Sequence, residues 1–291
     1  MNEDMRFRVA TYNANSIRSR IRLVQEWLSR ERPDVLCIQE TKVQDKDFPQ
    51  EAFTEIGYHI VFRGQKAYSG VAIASLDEPE AVSYGLDSEP RDEARLITER
   101  VRGIRIVNTY VPQGRSVDSE MFAYKLQWLA RLRTYFEHEF SPDEALIWCG
   151  DLNVAPQEID VHNPKRLAKH VDFHPQVREA LARVTEWGLE DVFRRHHTDE
   201  PGQYTFWDYR VRGALDRNLG WRVDHIYATP PLAKRSVNAW IDREARAADK
   251  PSDHTFLVAE FALWCRSSYG HRSHPDNGDW TVACESVTQT S

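Results

Sequence analysis

Short apolar runs with strand-like character recur along the chain and are separated in several places by amphipathic stretches. Runs rich in Val, Ile and aromatic residues predict nine β-strands. They cover residues 7–12, 35–39, 59–63, 70–74, 96–101, 104–110, 146–149, 222–227 and 255–263. Two of these runs flank Gly103, and their alternation of apolar and polar positions predicts a hairpin at that glycine.

Three stretches carry the periodicity of an amphipathic helix. The first repeats apolar residues at intervals of four, three and four from Ile17 to Leu28, with Ser16 as the expected N-cap and Pro33 as the expected stop. The second places apolar residues at positions 122, 126, 129, 132 and 136, and the third covers residues 175–187. Hairpins combined with strand–helix–strand units predict an α/β sandwich with mixed sheets.

The composition indicates one globular unit. The 291-residue chain is 41% hydrophobic and 29% charged, which excludes a wholly disordered protein. No linker rich in Pro, Gly or Ser appears before residue 266, so we expect one domain over residues 1–265 and a polar tail over residues 266–291.

Nothing in the sequence has the pattern of a secretory signal or a membrane span, which favours a cytoplasmic protein. None of the four cysteines is spaced as a CxxC pair, so a zinc or redox motif is not expected. Cys37 and Cys149 lie within apolar runs and are expected to be buried free thiols, as in a reducing compartment.

Polar side chains stand at the ends of several predicted strands. They are Asn13, Glu40, Tyr110, Asp151, Asn153, Asp224, His225, Asp253 and His254. Side chains at strand ends can converge on a ligand, and four acids at separate strand ends favour one shared site. A net charge of −7 is compatible with carboxylates gathered around a hard cation such as Mg²⁺. Such a set suits metal-assisted hydrolysis of a phosphodiester, in which a base activates water.

Six short motifs, in order along the chain, carry a specific resemblance. They are TYNANSIR at 11–18, IQETK at 38–42, NTYVPQG at 108–114, CGDLNVAP at 149–156, WRVDHI at 221–226 and SDH at 252–254. The series resembles that of the exonuclease III family of DNA-repair nucleases, within the endonuclease/exonuclease/phosphatase superfamily, and extends over residues 5–263. The resemblance implies a four-layer α/β sandwich, in which two mixed β-sheets pack face to face with helices on the outside.

The resemblance also implies a metal site. Glu40 would ligate Mg²⁺, helped by Asn13 or Asn15, and Mn²⁺ is an expected substitute. Asp253 would be a second metal-binding or acid–base residue. Asn15 stands where some relatives place a metal-binding Asp, so the ion would be held with one charge fewer. The candidate metal ligands are Asn13, Glu40, Asp151, Asn153, Asp253 and His254.

Catalytic roles follow from the same resemblance. Asp151 would activate or position the attacking water, and Asn153 and Tyr110 would hold the scissile phosphate. Asp224 would orient His254, which would stabilise charge on the phosphate. Thr255, which follows the SDH motif where relatives often have a smaller residue or proline, is expected to be a harmless departure.

The segment from Tyr204 to Arg217 indicates a nucleic acid substrate, because aromatic residues alternate there with arginines. Residues 202–223 hold four Arg and two Asp, a local charge of +2 against −7 for the whole chain. By resemblance, a small apolar pocket would admit a sugar that lacks its base and reject an intact nucleotide. The expected DNA-contacting residues are Gln113, Arg115, Phe206, Trp207, Arg210, Trp221 and Val223.

Within that set, Phe206, Trp221 and Val223 would line the pocket, and Trp207 and Arg210 would wedge into or brace the duplex. Gln113 and Arg115 would touch the opposite strand. Lys42 belongs to a further set of basic candidates, most of which are expected to be plain surface residues, and residues 194–197 are expected to form a solvated loop.

Three hypotheses are open at this point. The favoured one is a monomeric Mg²⁺-dependent nuclease that incises duplex DNA 5′ of abasic sites and acts on blocked 3′ ends as an exonuclease or phosphodiesterase. The second is a phosphatase or nuclease of the same fold that acts on another phosphate ester or on RNA. The third is a DNA-binding protein without activity, which the retention of all the acids argues against.

Overall fold

The computed structural model describes residues 5–87 and 94–263. Within these ranges, twelve strands form two six-stranded sheets. The strands are β1 (Met5–Asn13), β2 (Val35–Gln39), β3 (His59–Arg63), β4 (Val71–Ser75), β5 (Ala81–Tyr84), β6 (Leu96–Val101), β7 (Ile104–Tyr110), β8 (Leu146–Asp151), β9 (Glu190–Asp191), β10 (Asp224–Ala228), β11 (Ser236–Asp242) and β12 (Phe256–Leu263). The predicted tail at 266–291 lies outside the described residues.

Both sheets are mixed. The first has the order β11-β12-β1-β2-β4-β3, and only the β1–β2 pair in it is parallel. The second has the order β5-β6-β7-β8-β10-β9, and only the β7–β8 pair in it is parallel. The hairpin predicted at Gly103 is the β6–β7 pair.

The two sheets pack face to face around one apolar core, to which Val9 and Val35 of the first sheet and Ile106 and Ile147 of the second contribute. Helices cover the outer faces of both sheets and complete the four-layer sandwich, so the predicted fold class is confirmed. The helices are α1 (Ile17–Glu31), α2 (Glu51–Thr54), α3 (Glu120–Glu139), α4 (Pro164–Leu167), α5 (Pro175–Thr185), α6 (Val192–His196), α7 (Pro230–Ala233) and α8 (Arg243–Arg246).

The long helices bury the apolar faces that their periodicity predicts. Helix α1 packs Val24 and Leu28 on the first sheet, and α3 packs Leu129 and Leu132 on the second. Ser16 precedes α1 as expected, but its side chain makes no capping hydrogen bond, because its backbone φ of 92° departs from the usual N-cap conformation. No helix in the described part of the chain combines the length and the apolar character of a membrane crossing.

Three strands, β5, β9 and β11, were not predicted. All four residues of β5 are exposed, and β9 has only two residues, so neither has an apolar run. In β11, a β-bulge between Ser236 and Asn238 disrupts the alternation of apolar and polar positions.

The sheet pairing gathers the polar strand ends at one edge of the sandwich. Parallel β1 and β2 end together, with Asn13 opposite Gln39, and parallel β7 and β8 end with Tyr110 opposite Asp151. Antiparallel β10 begins at Asp224, opposite that same Asp151.

A buried polar bridge joins the sheets close to this edge. The Gln39 amide donates to Asn108 Oδ1 at 2.7 Å, and the Asn108 amide donates back to the backbone carbonyl oxygens of Ile38 and Ala72. Since both side chains are buried and these three hydrogen bonds join strands of the two sheets, they fix the distance between the sheets next to the polar edge.

Candidate active site

Asn13 links the carboxylates of the two sheets. Its amide Nδ2 donates to Glu40 Oε1 and to Asp151 Oδ2, both at 2.8 Å, and the Asn13 side chain is fully buried. Its amide oxygen accepts the backbone N–H of Asn15 at 2.9 Å. Asn13 therefore holds the two carboxylates together by donating to both.

Gly150 allows Asp151 to reach this position. The Gly150 backbone has φ of 143°, and a Cβ at that residue would lie 1.9 Å from the carbonyl oxygen of Thr109. Only glycine fits between the paired ends of β7 and β8. The CGD sequence of the fourth motif thus has a steric cause.

Asp224, His254 and Asp151 form a buried group whose ligand-type atoms all lie within 4.8 Å of one another. His254 Nδ1 donates to Asp224 Oδ2 at 2.8 Å, and Nε2 lies 3.9 Å from Asp151 Oδ2. Burial by itself lowers the pKa of His254, but the charges of Asp224 and Asp151 outweigh it and raise the pKa to about 10. In the absence of a metal ion His254 is therefore held as a cation by its two acidic neighbours, with Nδ1 bonded to Asp224, and its role as a metal ligand stays a prediction.

The site holds more negative than positive charge around Asp151. Burial raises the pKa of Asp151, and although His254 opposes this, the charges of Asp224 and Glu40 raise it further. Asp224 Oδ1 is buried and has no hydrogen-bond partner among the described residues. Crowded carboxylates with an unpaired oxygen are the surroundings that a divalent cation stabilises.

Lys42, one of the further basic candidates, is part of the site. Its Nζ lies 2.7 Å from Glu40 Oε2 and donates to Asn15 Oδ1 at 2.5 Å. Burial raises the pKa of Glu40, but Lys42 and the Asn13 amide outweigh it, so the pKa is lowered. The Asn15 amide in turn donates to Asp253 Oδ1 at 2.9 Å. This chain of contacts places Asp253 at the same edge as Glu40.

Asn153 and Tyr110 flank Asp151. Asn153 has a left-handed backbone, with φ of 50°, and its amide donates to the Val111 carbonyl oxygen at 3.0 Å and to Asp151 Oδ2 at 3.2 Å. Burial, followed by the charges of Glu40 and Asp151, raises the pKa of Tyr110 well above its ordinary value. The Tyr110 hydroxyl consequently stays protonated and can donate a hydrogen bond.

Two buried charged networks that the sequence did not reveal support the Asn153 loop. In the first, Lys125 of α3 is fully buried and donates to the Asn153 carbonyl oxygen at 2.6 Å and to Asp172 Oδ1 at 2.9 Å. In the second, the buried Arg222 binds Asp160 through two hydrogen bonds and approaches His225. Burial and the nearby Arg222 lower the pKa of His225 to about 4, so His225 is neutral.

Phe206, Trp221 and Val223 meet in one apolar cluster, as the resemblance implied, together with Ala155, Val161 and Phe173. Trp221 and Val223 are each less than a tenth exposed, whereas Phe206 is only partly buried. The Phe206 ring centroid lies 4.9 Å from that of His254. The apolar cluster is therefore directly adjacent to the charged site.

Of the two residues expected to wedge into or brace the duplex, one is buried and one is exposed. Trp207 is 1% exposed, packs with Tyr204 and Ala214, and donates to Asn218, so it cannot wedge into a duplex from this position. Arg210 is exposed and forms a bidentate pair with Asp208.

Gln113 and Arg115 lie beside the Asn153 loop. The Gln113 amide approaches Asp172 at 3.4 Å, and Arg115 is exposed. The expected solvated loop at residues 194–197 is mostly helix α6, in which the buried Arg194 pairs with Asp160 because both charges are withdrawn from water.

Comparison with known proteins supplies the decisive observation. Residues 10–254 match the model of the Endonuclease/Exonuclease/phosphatase family. The chain belongs to this family. The predicted membership and the predicted enzyme class, a hydrolytic nuclease, are confirmed.

Individual members of the family are similar over most of the chain. Exodeoxyribonuclease III of Haemophilus influenzae is 34% identical over 86% of this chain and 98% of its own length. The structure of an AP endonuclease from Archaeoglobus fulgidus matches with a TM-score of 0.86 and 55% identity, over 88% of this chain and 99% of that one. The structure of the 3′ phosphatase NExo from Neisseria, bound to a product DNA hairpin, matches with a TM-score of 0.82 and 36% identity. The match covers 88% of this chain and 100% of that one.

The residues of this family member can perform phosphoester hydrolysis. Buried carboxylates suited to a metal ion, a cationic His254 and the neutral side chains of Asn153 and Tyr110 lie at the same sheet edge. A cation and fixed donors aimed at one site stabilise the negative charge that develops on a phosphoryl group.

Proposed function

We propose that the chain is a Mg²⁺-dependent DNA-repair nuclease that cleaves duplex DNA 5′ of abasic sites and removes or trims blocked 3′ ends. The observation that carries this proposal is the junction of two different surfaces. A charged group around Asp151 adjoins the apolar cluster of Phe206, Trp221 and Val223. The charged group suits a phosphate, and the apolar cluster suits a sugar without a base.

The residues proposed to hold Mg²⁺ are Glu40 and Asp151, which accept hydrogen bonds from the same Asn13 nitrogen. Oxygen ligands of this kind suit Mg²⁺, with Mn²⁺ as a substitute. When bound, the ion would polarise the phosphoryl group and stabilise the leaving oxygen. Asp253 is proposed to assist through Asn15 and Lys42.

The chain's own residues are proposed to bind the phosphate and to activate the attacking water. His254, held by Asp224, would donate from Nε2 to a phosphoryl oxygen, and the Tyr110 hydroxyl and the Asn153 amide would orient the phosphate. Asp151 would position the attacking water and receive its proton.

Substrate choice is proposed to depend on the cost of placing a nucleotide against the apolar cluster. Extruding a nucleotide costs a few kcal/mol, and least when no base has to be unstacked. An intact base would in addition have to displace Trp221 and Val223, which are almost fully buried.

We further propose that residues 1–265 form the catalytic domain, and that the protein acts as a monomer in a reducing, cytoplasmic compartment. The free, buried thiols of Cys37 and Cys149 support the reducing compartment. Size-exclusion chromatography with light scattering would test the monomer, because a dimer would double the mass.

The test of function is a duplex labelled on one strand with a single abasic site, incubated with Mg²⁺ or with EDTA. We expect one nick, immediately 5′ of the lesion, only with Mg²⁺. Asp151→Asn should lower the rate by about 10²–10⁴-fold, the usual contribution of a general base, while DNA binding persists. Folded wild-type protein that leaves this duplex intact, but cleaves RNA or a small phosphate ester, would contradict the proposal.

A further inference from the structure

His225 is the one strand-end residue of the WRVDHI motif to which the proposed function gives no role. It follows Asp224 in β10, so its side chain leaves the opposite face of the strand from the Asp224 carboxylate. The imidazole is completely buried. A buried polar ring needs a partner for each nitrogen, and His225 has two.

The first partner determines which nitrogen of His225 carries the proton. Arg222 Nη1 lies 3.0 Å from His225 Nδ1. A guanidinium has only donors, so Nδ1 of a neutral His225 must accept and the ring proton must be on Nε2. Arg222 is itself fixed, because Asp160 binds its Nε and Asp191 binds its Nη2.

The second partner lies in the loop after β8. His225 Nε2 is 2.8 Å from the carbonyl oxygen of Val154, the residue that follows Asn153. The same loop is held on its other side by Lys125, at the Asn153 carbonyl oxygen, and by the Asp172 carbonyl oxygen, which accepts the N–H of Ala155. Two consecutive carbonyl groups, that of the left-handed residue Asn153 and that of Val154 after it, are thus each held by a buried side chain.

We propose that His225 is a positioning residue for catalysis: its Nε2–H, directed by Arg222, holds the Val154 carbonyl group and so keeps the Asn153 amide in place beside Asp151. This inference rests on the proposed function, in which Asn153 orients the phosphate. Misplacing a positioning group by about 1 Å can lower the rate by up to about 10²-fold, although the group never touches the substrate.

Two substitutions of similar chemistry separate this role from general stability. In His225→Gln the amide nitrogen extends as far from the backbone as Nε2 and can still donate to the Val154 carbonyl group. In His225→Asn the amide ends near the position of Nδ1, so it meets Arg222 but does not reach Val154. We expect His225→Asn to lower the single-turnover nicking rate about tenfold with the DNA dissociation constant unchanged, and His225→Gln to stay within about twofold of wild type.

The Asn153→Ala background tests whether His225 acts through Asn153. There, His225→Asn should cause no further loss of rate, because the group that it misplaces is gone. An equal loss in both backgrounds would overturn the proposal, as would a folded His225→Gln variant that is as slow as His225→Asn. If His225→Asn does not fold, the rate of His225→Gln still tests the proposal, because a folded His225→Gln variant that is much slower than wild type would overturn it.

Hydrogen exchange of the full-length protein provides a readout that needs no activity. His225→Asn should accelerate exchange in a peptide covering residues 152–158, with no change in residues 104–110, and His225→Gln should not. Unchanged exchange in residues 152–158 of His225→Asn would refute the positioning role. A wild-type protein that fails to nick abasic DNA would refute the proposed function. The exchange result would still test whether His225 holds the loop at residues 152–158.

Discussion

At the scale of single residues, the site places carboxylates, a cationic histidine and an apolar ring next to one another. Asn13 donates to two carboxylates from one nitrogen, and His254 is kept cationic by the acids on either side of it. Phe206 lies against that cation with its ring. The residue that faces both the phosphate side and the sugar side of the proposed site is therefore Phe206.

Phe206→Ala should weaken discrimination between abasic and intact duplexes. Removing the ring opens the apolar cluster next to His254, so a nucleotide that keeps its base meets less steric resistance. We expect the ratio of nicking rates to fall about tenfold, within the range that one apolar contact contributes to selectivity. Val211→Ala, an exposed change in the same segment, is the matched control, and an unchanged ratio in Phe206→Ala would count against the pocket.

At the scale of elements, helix α3 and the loops after β7 and β8 are joined by one buried ammonium group. Lys125 reaches from α3 to the carbonyl oxygens of Gln113 and Asn153 and to the carboxylate of Asp172. The desolvation of Lys125, opposed by Asp172, lowers its pKa. The position of two functional loops therefore depends on a residue that contributes no chemistry of its own.

Lys125→Met should destabilise the protein strongly. The substitution removes the partner of the Asp172 carboxylate and of two carbonyl groups, and breaking a buried ion pair costs about 3–5 kcal/mol. Urea denaturation would measure this loss, with the exposed Lys46→Met as control. Adding Asp172→Asn should recover part of it, because no uncompensated charge is left, and a double variant no more stable than Lys125→Met would disprove the pairing.

At the scale of the whole molecule, the core between the sheets contains one acid that has no role in the site. Glu99 of β6 is fully buried, and only the neighbouring Ser75 hydroxyl favours its charged form, too weakly to outweigh the burial. Burial raises the pKa of Glu99 from 4.5 to about 8. The folded state therefore holds this proton more tightly than the unfolded chain does.

Stability should fall as the pH rises from about 4.5 towards about 8, because folding keeps a proton that the unfolded chain releases. Glu99→Gln is neutral at every pH and should remove this dependence. We expect the variant to be more stable than wild type by up to about 3 kcal/mol at pH 7, with little difference at pH 4.5. Urea denaturation across this pH range would measure the free energy of unfolding of both proteins. The exposed Glu55→Gln is the control and should leave the pH profile unchanged. Parallel profiles for wild type and Glu99→Gln would contradict a raised pKa.

The sequence predicts the fold and the residues that form the site better than it predicts the buried residues that hold the site's loops in place. Strands β2 and β8 contain the apolar runs 35–38 and 146–149, and Glu40 and Asp151 stand two residues after these runs, so the local pattern is sufficient. Lys125 and His225 interact with residues 28 and 71 positions away, respectively, and no local signal reveals such pairs. Trp207 was placed on the DNA from its arginine-rich neighbours, but burial among aromatic residues is a tertiary effect.

Carboxylates from both sheets are proposed to hold the cation that makes the strand break possible. The most direct measurement is the rate of nicking of the abasic duplex as a function of Mg²⁺ concentration, for wild type and for Glu40→Gln. We expect no cleavage in EDTA and saturation with Mg²⁺ in the wild type. Glu40→Gln should require at least about tenfold more Mg²⁺, with the nick at the same position. Cleavage at full rate in EDTA, or identical Mg²⁺ curves for the two proteins, would contradict it.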